Sequence, residues 1–308
     1  MSFCIFDAHA DTISELLDRG GEILKNNCHI DVNRVKKLEH RYIQVFAAFT
    51  ERVENPALRV FKIIDKYYEF VGSGEIVHCE SFDEIDKNKD NKKILSILSI
   101  EGGDALLGSL EMLRIYYRLG VRVMNLTWNY SNEIASGIMD KNDTGLTDFG
   151  KDVVKEMNKL GMIIDVSHLS EKSFWDVAKI SSKPFIASHS NARSLCRHPR
   201  NLTDEQIKKI ISKKGVIGLN FYNDFLSDRE RVSIDDVIKH AEYILSLGGE
   251  NCLGFGSDFD GMEKLPEGIS GVESYYDIIN EFLKLGYSEE LMRKICADNF
   301  LRVIKEVL

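Results

Sequence analysis

Two metal-binding residue types stand at the end of the first apolar run of the chain. His9 and Asp11 follow the run 3–7 and are separated by a single residue. Residues i and i+2 of a β-strand point to the same face, so the imidazole and the carboxylate should project together. Such a pair can bind a divalent metal ion. Alone it is a weak signal, because a histidine that simply pairs with a nearby aspartate has the same spacing.

Residues of the same chemical kind follow four later apolar runs. They are Glu101 after the third run, His168 after the fifth, His189 after the sixth and Asp258 after the eighth. Each has a structural explanation, since Glu101 could cap a helix and Asp258 could belong to a turn. In a parallel barrel, however, the strand ends meet on one face, where sites are built. A purely structural reading needs six separate coincidences, so one shared site is favoured.

The set is larger than one metal ion needs, and it fits a two-metal site. Glu101 has two carboxylate oxygens and could therefore bridge two ions. His9 and Asp11 would complete the first ion's ligands. His168 and His189 would complete the second ion's ligands.

Catalysis at such a site would use a hydroxide between the two metals as the nucleophile, because both charges lower the pKa of the bound water. Asp258 ends the eighth run, which lies beside the first run in a closed barrel. It can take the proton of the hydroxide and pass it to a leaving amine. Asp258 and Glu101 are therefore the predicted catalytic residues.

The elements that position these residues are eight apolar runs separated mostly by helical patterns. The runs cover residues 3–7, 43–49, 94–100, 121–126, 162–166, 184–187, 215–220 and 252–256. Helices are predicted at 56–71, 104–119, 147–160, 171–180, 203–212, 233–247, 272–285 and 288–307. The alternation predicts an α/β fold, a (β/α)8 TIM barrel. We expect one domain over residues 1–308, closed by C-terminal helices, with the loop 129–146 at the site.

The net charge and composition of the chain limit the classes of molecule that it is expected to bind. The formal net charge of −9 argues against nucleic acid or an anionic membrane, so a small molecule is the expected partner. We see no leader, membrane span or lipid-anchor pattern. The six cysteines show no close-spaced pair and indicate thiols in a reducing cytoplasm. The oligomeric state stays open, with a homodimer as one option.

Together these stretches are recognisable. The chain resembles the renal-type membrane dipeptidase family, amidohydrolase-like zinc barrel enzymes, in its bacterial form. The resemblance rests on Asp7-Ala-His-Ala-Asp11, Ile100-Glu-Gly-Gly103, Asp165-Val-Ser-His168, Ser188-His-Ser190, Arg200-Asn201 and Gly256-Ser-Asp-Phe-Asp-Gly261. It implies dipeptide hydrolysis with two Zn²⁺ ions, although other divalent metals would fit, and the same ligands and acid–base residue. It further implies that Arg200 binds the substrate's terminal carboxylate, for which the guanidinium fork is suited.

One departure from the family concerns position 128. The animal enzymes have a histidine after the Leu-Thr pair that ends the fourth strand, and it polarises the scissile carbonyl. Here Leu126-Thr127 is followed by Trp128, which has a single N–H donor and does not titrate. We therefore expect Trp128 to contact substrate chiefly as a pocket wall.

Two other functions compete with dipeptide hydrolysis. A different amide or lactam hydrolase, such as an N-acyl amino acid hydrolase, would use the same metals. Many amidohydrolases bridge their metals with a carbamylated lysine after the fourth strand, and the absence of lysine there favours the glutamate-bridged dipeptidase type. A non-catalytic metal-stabilised binding protein is disfavoured because Asp258 and all five ligands are present.

Overall fold

The computed structural model describes residues 2–51 and 53–308 and, within them, places eight parallel strands in a closed barrel with a ninth strand at its edge. The strands are β1 Cys4–Ala10, β2 Arg41–Phe49, β3 Ile76–His78, β4 Ile94–Glu101, β5 Val121–Asn125, β6 Ile163–Asp165, β7 Ile186–Ala187, β8 Val216–Leu219 and β9 Leu253–Phe255. The order is β2-β1-β9-β8-β7-β6-β5-β4, and pairing of β2 with β4 closes the ring. The predicted (β/α)8 barrel is thus confirmed.

The edge strand β3 was not predicted from the sequence. It pairs only with the first half of β4, with Ile76 opposite Ile94 and His78 opposite Ser96. The second half of β4 pairs with β5 instead. β3 is therefore an addition to one barrel strand and takes no part in closing the ring.

Helices surround the barrel. They are α1 Thr12–Arg19, α2 Val32–Lys37, α3 Pro56–Gly72, α4 Phe82–Lys87, α5 Leu110–Arg118, α6 Asp148–Leu160, α7 Glu171–Ile180, α8 Asp204–Ser212, α9 Asn223–Leu226, α10 Ile234–Ser246, α11 Tyr275–Lys284, α12 Glu289–Arg293 and α13 Asn299–Val307. A π-helical stretch, Lys294–Asp298, joins α12 to α13. Among the described residues, none of these helices combines the length and apolarity needed to cross a membrane.

The helix predicted over 104–119 is wrong in its first third. A short 3₁₀ turn at Gly103–Leu106 comes first, and α5 begins only at Leu110. Between them Leu107 and Gly108 both have positive φ, 51° and 69°, which ends the turn. The apolar spacing of this stretch is helical, but the backbone reverses within it, and periodicity does not report such a reversal.

The barrel interior is filled by alternate strand residues in one apolar cluster, which also includes residues of α13. The strand members are Phe6, Ala8, Ile43, Val45, Leu95, Ile97, Val123, Ile163, Ile186 and Val216. Phe300 of α13 stacks on Phe6 with 4.9 Å between ring centroids. The apolar interior leaves polar side chains to the opposite end, where the strands finish.

A bulge in β1 decides which way its polar residues point. Asp7 is opposite Gln44 of β2, but Ala10 is already opposite Phe46, so β1 carries one extra residue. Before the bulge, Asp7 accepts hydrogen bonds from Tyr42 and Ser257 at 3.4 and 2.6 Å. After Asp7 the alternation is shifted, and His9 near the end of β1 and Asp11 just beyond it reach the mouth of the barrel.

Candidate metal centre

Most of the predicted site residues line one pocket at the carboxyl ends of the strands, and His9 and His189 lie beneath it against Glu101. The pocket has a volume of about 770 Å³, and Asp11, Glu101, Trp128, Arg200 and Asp258 are among its lining residues. Residues that were predicted to meet at the strand ends therefore line a single cavity. The geometry of the cavity can be built up from Glu101 outward.

Glu101 is the last residue of β4 and is buried, with its two oxygens facing different histidines. Oε1 lies 2.9 Å from Nε2 of His168 and 3.5 Å from Nε2 of His189. Oε2 lies 3.4 Å from Nε2 of His9. One carboxylate thus stands between two groups of ligand atoms, as a bridging ligand would.

The first group comes from β1 and the start of α1. Nε2 of His9 is 3.3 Å from Oδ2 of Asp11, and both residues are buried. Oδ1 of Asp11 has no hydrogen-bond partner among the described residues. A buried carboxylate oxygen without a partner is costly, and a bound cation would satisfy it.

The second group comes from the segments that follow β6 and β7. Nε2 of His168 and Nε2 of His189 are only 2.8 Å apart. Nδ1 of His189 lies 2.7 Å from Oγ of Ser188, and Nδ1 of His168 lies 2.8 Å from Oδ1 of Asn129. With Nδ1 of each ring so engaged, the Nε2 atoms are left to face the same space.

Burial sets the protonation of these groups. It lowers the pKa of His168 to about 3, assisted by the charge of Arg200, and it also lowers the pKa of His189 well below the usual value. Both rings are therefore neutral at pH 7, the form in which imidazole binds metals. Burial raises the pKa of Glu101, but the charge of His9 and the contacts with the rings of His168 and His9 together outweigh burial, so the pKa of Glu101 is lowered overall.

These residues fit two divalent cations. Two neutral imidazoles and one shared carboxylate oxygen converge on one side, and a third imidazole with two carboxylates converges on the other. Nitrogen and oxygen ligands of this kind suit zinc and neighbouring divalent metals. The donor set and the unpartnered Asp11 oxygen both support the fit.

Asp258 stands at the edge of this cluster, after β9. Its Oδ2 accepts a hydrogen bond from Nδ2 of Asn220 at 2.8 Å, and its Oδ1 is 4.0 Å from Nε2 of His9. Burial, together with the charge of Glu101, raises the pKa of Asp258 to about 6. The group is thus close to the ligands and able to exchange a proton near neutral pH.

Arg200 reaches the same cluster from the segment after β7. It is buried, and its Nη2 lies 3.0 Å from Nε2 of His168. Its guanidinium also lies 5.4 Å from the ring centre of Phe225, while its Nε has no partner among the described residues. Nδ1 of His198 accepts the backbone N–H of Arg200 at 3.2 Å. A buried guanidinium with a spare donor can bind a carboxylate.

Trp128 forms part of the pocket wall. Its ring is half-buried and packs edge-on against Phe49, with ring centroids 5.3 Å apart. Tyr130 packs on it at 6.5 Å, and the ring of His168 lies 6.2 Å away. The indole therefore offers the pocket a large apolar surface next to a candidate ligand.

Sequence reasoning missed the residues that orient the site. Asn129 and Ser188 contact the outer nitrogens of two histidines, and Asn220 contacts Asp258. Oδ1 of Asp165 accepts the backbone N–H groups of Ser167 and Ser188, both at 3.0 Å. The only signal in the sequence was that each of these polar residues also stands at or just after a strand end.

Comparison with known proteins identifies a family whose model matches the whole chain. The model of "Membrane dipeptidase (Peptidase family M19)" matches residues 1–308. A protein of Klebsiella pneumoniae from the pqqA 5′ region is 38% identical over 245 residues, which is 76% of this chain and 90% of that protein.

Two solved structures are similar over nearly their full lengths. A metallopeptidase from Rhodobacter sphaeroides, liganded with a phosphinate mimic of the dipeptide L-Ala-D-Ala, has a TM-score of 0.93 and 26% identity, with 100% of both chains covered. A dipeptidase described as a metallopeptidase of family M19 has a TM-score of 0.92 and 27% identity, covering 100% of this chain and 99% of the other.

Proposed function

The chain belongs to the membrane dipeptidase family, peptidase family M19, and on that premise we propose that it hydrolyses dipeptides with two divalent metal ions bridged by Glu101. Metal-dependent dipeptidase activity follows from the family and from the two similar metallopeptidase structures. The observation that carries the two-metal proposal is the division of the Glu101 oxygens. Oε1 faces His168 and His189, whereas Oε2 faces His9.

We assign the ligands from that division. His9 and Asp11 would hold the first ion. His168 and His189 would hold the second ion. When bound, zinc or a similar divalent pair would supply a nucleophilic water of lowered pKa and polarise the scissile carbonyl.

Asp258 is the proposed general acid and base. Its Oδ1 faces His9 and the cluster, and its Oδ2 is fixed by Asn220. One anchored oxygen keeps the carboxylate in place while the other accepts a proton during attack. The same oxygen then donates that proton to the leaving amine, since amide cleavage needs a protonated leaving group.

Arg200 is proposed to bind the terminal carboxylate of the substrate. Its guanidinium is buried and already lies within 3.0 Å of His168, so a carboxylate bound to it would be held close to the cluster. Burial lowers the pKa of Arg200 to about 10, and the group therefore remains charged at pH 7. A substrate carboxylate held there would lie next to the proposed metal ligands, which supports very short substrates.

Trp128 and the segment 129–146 are proposed to limit the pocket around the substrate. Trp128 lacks a titrating proton, so carbonyl polarisation would come chiefly from the metals. The Rhodobacter sphaeroides metallopeptidase was solved with a mimic of L-Ala-D-Ala. We propose small dipeptides of this kind, including those with a D-residue at the C-terminus, as the first substrates to try.

The proposal is tested by metal analysis and a substrate panel. Protein reloaded with zinc should approach two equivalents per chain, and a library of L,L- and L,D-dipeptides should contain good substrates. N-acetylated amino acids and tetrapeptides serve as the comparison. Saturation at one equivalent would contradict the two-metal site, and faster hydrolysis of N-acetylated amino acids would favour the acylase alternative.

A further inference from the structure

Asn129 lies behind one proposed metal ligand. Its Oδ1 is 2.8 Å from Nδ1 of His168, while Nε2 of the same ring is 2.9 Å from Glu101. Arg200, which has only donors, also approaches Nε2 of His168 at 3.0 Å. Because Oδ1 of Asn129 only accepts, Nδ1 carries the proton of the neutral ring and donates it to Asn129. Nε2 is then unprotonated and can accept from Arg200 or bind the cation that Glu101 would share. This contact fixes both the tautomer and the orientation of the ring.

The segment 129–146 holds Asn129 in that position. The backbone N–H of Met139 donates to the carbonyl of Asn129 at 2.9 Å, and the N–H of Ile138 donates to the carbonyl of His168 at 2.8 Å. Gly137 lies so close that a Cβ there would come within 2.5 Å of the carbonyl carbon and oxygen of Asn129. The segment thus contacts both the side chain and the backbone of His168.

His168 depends on such support because of its backbone conformation. Its φ is 71°, in the left-handed region that residues with a side chain seldom adopt. A non-glycine residue stays there only when its surroundings hold it. The Ile138 hydrogen bond and the Asn129 hydrogen bond constrain the backbone and the ring respectively.

We propose that Asn129 is a positioning residue, which sets the tautomer and angle of His168 and thereby the affinity of the second metal ion. The inference rests on the proposed two-metal function. Because Trp128 precedes Asn129 directly and lines the pocket, the same short segment touches both the substrate space and the partner of a ligand. Asn129 itself contributes no atom to the reaction in this role.

The test compares zinc affinity in matched variants. Asn129→Leu has a similar size but no acceptor, Asn129→Asp keeps an acceptor oxygen, and Asn142→Leu makes the same change at an exposed position of the same segment. Competition with a chromophoric chelator gives the two zinc affinities without any assay of activity. Loss of an outer partner of a metal-binding histidine typically weakens metal affinity by about 10- to 100-fold. We expect that loss, for one of the two ions, in Asn129→Leu only.

The possible outcomes test the role of Asn129 and the two-metal function separately. Near-wild-type zinc affinities in both Asn129→Leu and the smaller Asn129→Ala, in protein whose circular dichroism is unchanged, would overturn the positioning role whatever the stoichiometry. A wild-type protein that binds one equivalent would contradict the two-metal function instead. If Asn129→Leu does not fold, Asn129→Ala decides, because it removes the acceptor without adding bulk. The visible spectrum of the Co²⁺-loaded protein should change with Asn129→Ala and be restored in Asn129→Asp.

Discussion

At the scale of single residues, the site separates groups that would hold metal from a group that would move protons. Glu101 has both oxygens among histidine nitrogens, whereas Asp258 keeps one oxygen on Asn220 and one free for a proton. The two carboxylates are close neighbours, yet their pKa values shift in opposite directions. Different environments thus give the same functional group two protonation behaviours, which supports the two proposed roles.

Asp258→Asn should therefore lower turnover strongly and leave the metals in place. The asparagine can still accept the Asn220 hydrogen bond, but it cannot take up or release a proton. General acid–base catalysis typically contributes about 10²- to 10⁴-fold, so kcat on a good dipeptide should fall within that range. Metal content measured on the same sample is the control. Near-wild-type kcat in this variant would show that another group carries the proton.

Arg200→Ala should weaken dipeptide hydrolysis through lost contact with the substrate carboxylate. Charge-assisted hydrogen bonds are worth about 1.5–3 kcal/mol, so kcat/KM should fall roughly 10- to 150-fold. C-terminally amidated dipeptides should lose about as much with the wild-type enzyme. The two losses should not add, because they remove one contact. Full additivity would place Arg200 elsewhere in the mechanism, and Arg200→Lys would show how much the planar fork matters.

At the scale of elements, the strand ends were predictable because parallel barrels bring them together. Apolar runs located the eight barrel strands, and polar residues after the first, third, fifth and sixth runs indicated the proposed ligands. The β1 bulge, the positive φ of Leu107 and the three-residue strand β3 were not predictable, since none of them leaves a periodic pattern. The partner Asn129 was missed for another reason: it contacts His168 across 39 residues of sequence, and contact between loops depends on their three-dimensional path.

Strand β8 and the residue that follows β9 need glycine where they pass the carbonyl of Ser188. A Cβ on Gly256, just after β9, would lie 1.6 Å from that oxygen, and one on Gly218 of β8 would lie 1.9 Å from it. Gly256→Ala must therefore displace Ser188 and with it His189. Overpacking of this kind costs about 1–3 kcal/mol or more, which denaturant unfolding would detect together with reduced metal content.

Gly72→Ala is the matched control for that substitution. Gly72 is the exposed last residue of α3, and no atom lies within 4 Å of a Cβ placed there. Alanine favours a helix over glycine, so this variant should be as stable as the wild type or slightly more stable. Equal behaviour of the two alanine variants would contradict the steric requirement at Gly256.

At the scale of the whole molecule, the proposed ligands connect distant parts of the barrel. They come from β1, β4 and the segments after β6 and β7, which stand in separate places around the ring. Without a cation, the site buries the three carboxylates of Asp11, Glu101 and Asp258 close together, and Oδ1 of Asp11 has no hydrogen-bond partner among the described residues. The apolar interior must then stabilise the closed ring against repulsion at its mouth.

Metal removal should consequently lower the stability of the entire barrel. A ligand that binds only the folded state at about 100 times its dissociation constant adds about 2.7 kcal/mol to the free energy of unfolding. Unfolding followed with and without a chelator should therefore show a large loss of stability when zinc is removed. In Glu101→Gln the difference should shrink, because a bridging ligand has lost its charge, while Asp258→Asn should retain it in full. If zinc stabilised all three proteins equally, Glu101 would not be a bridge between the ions.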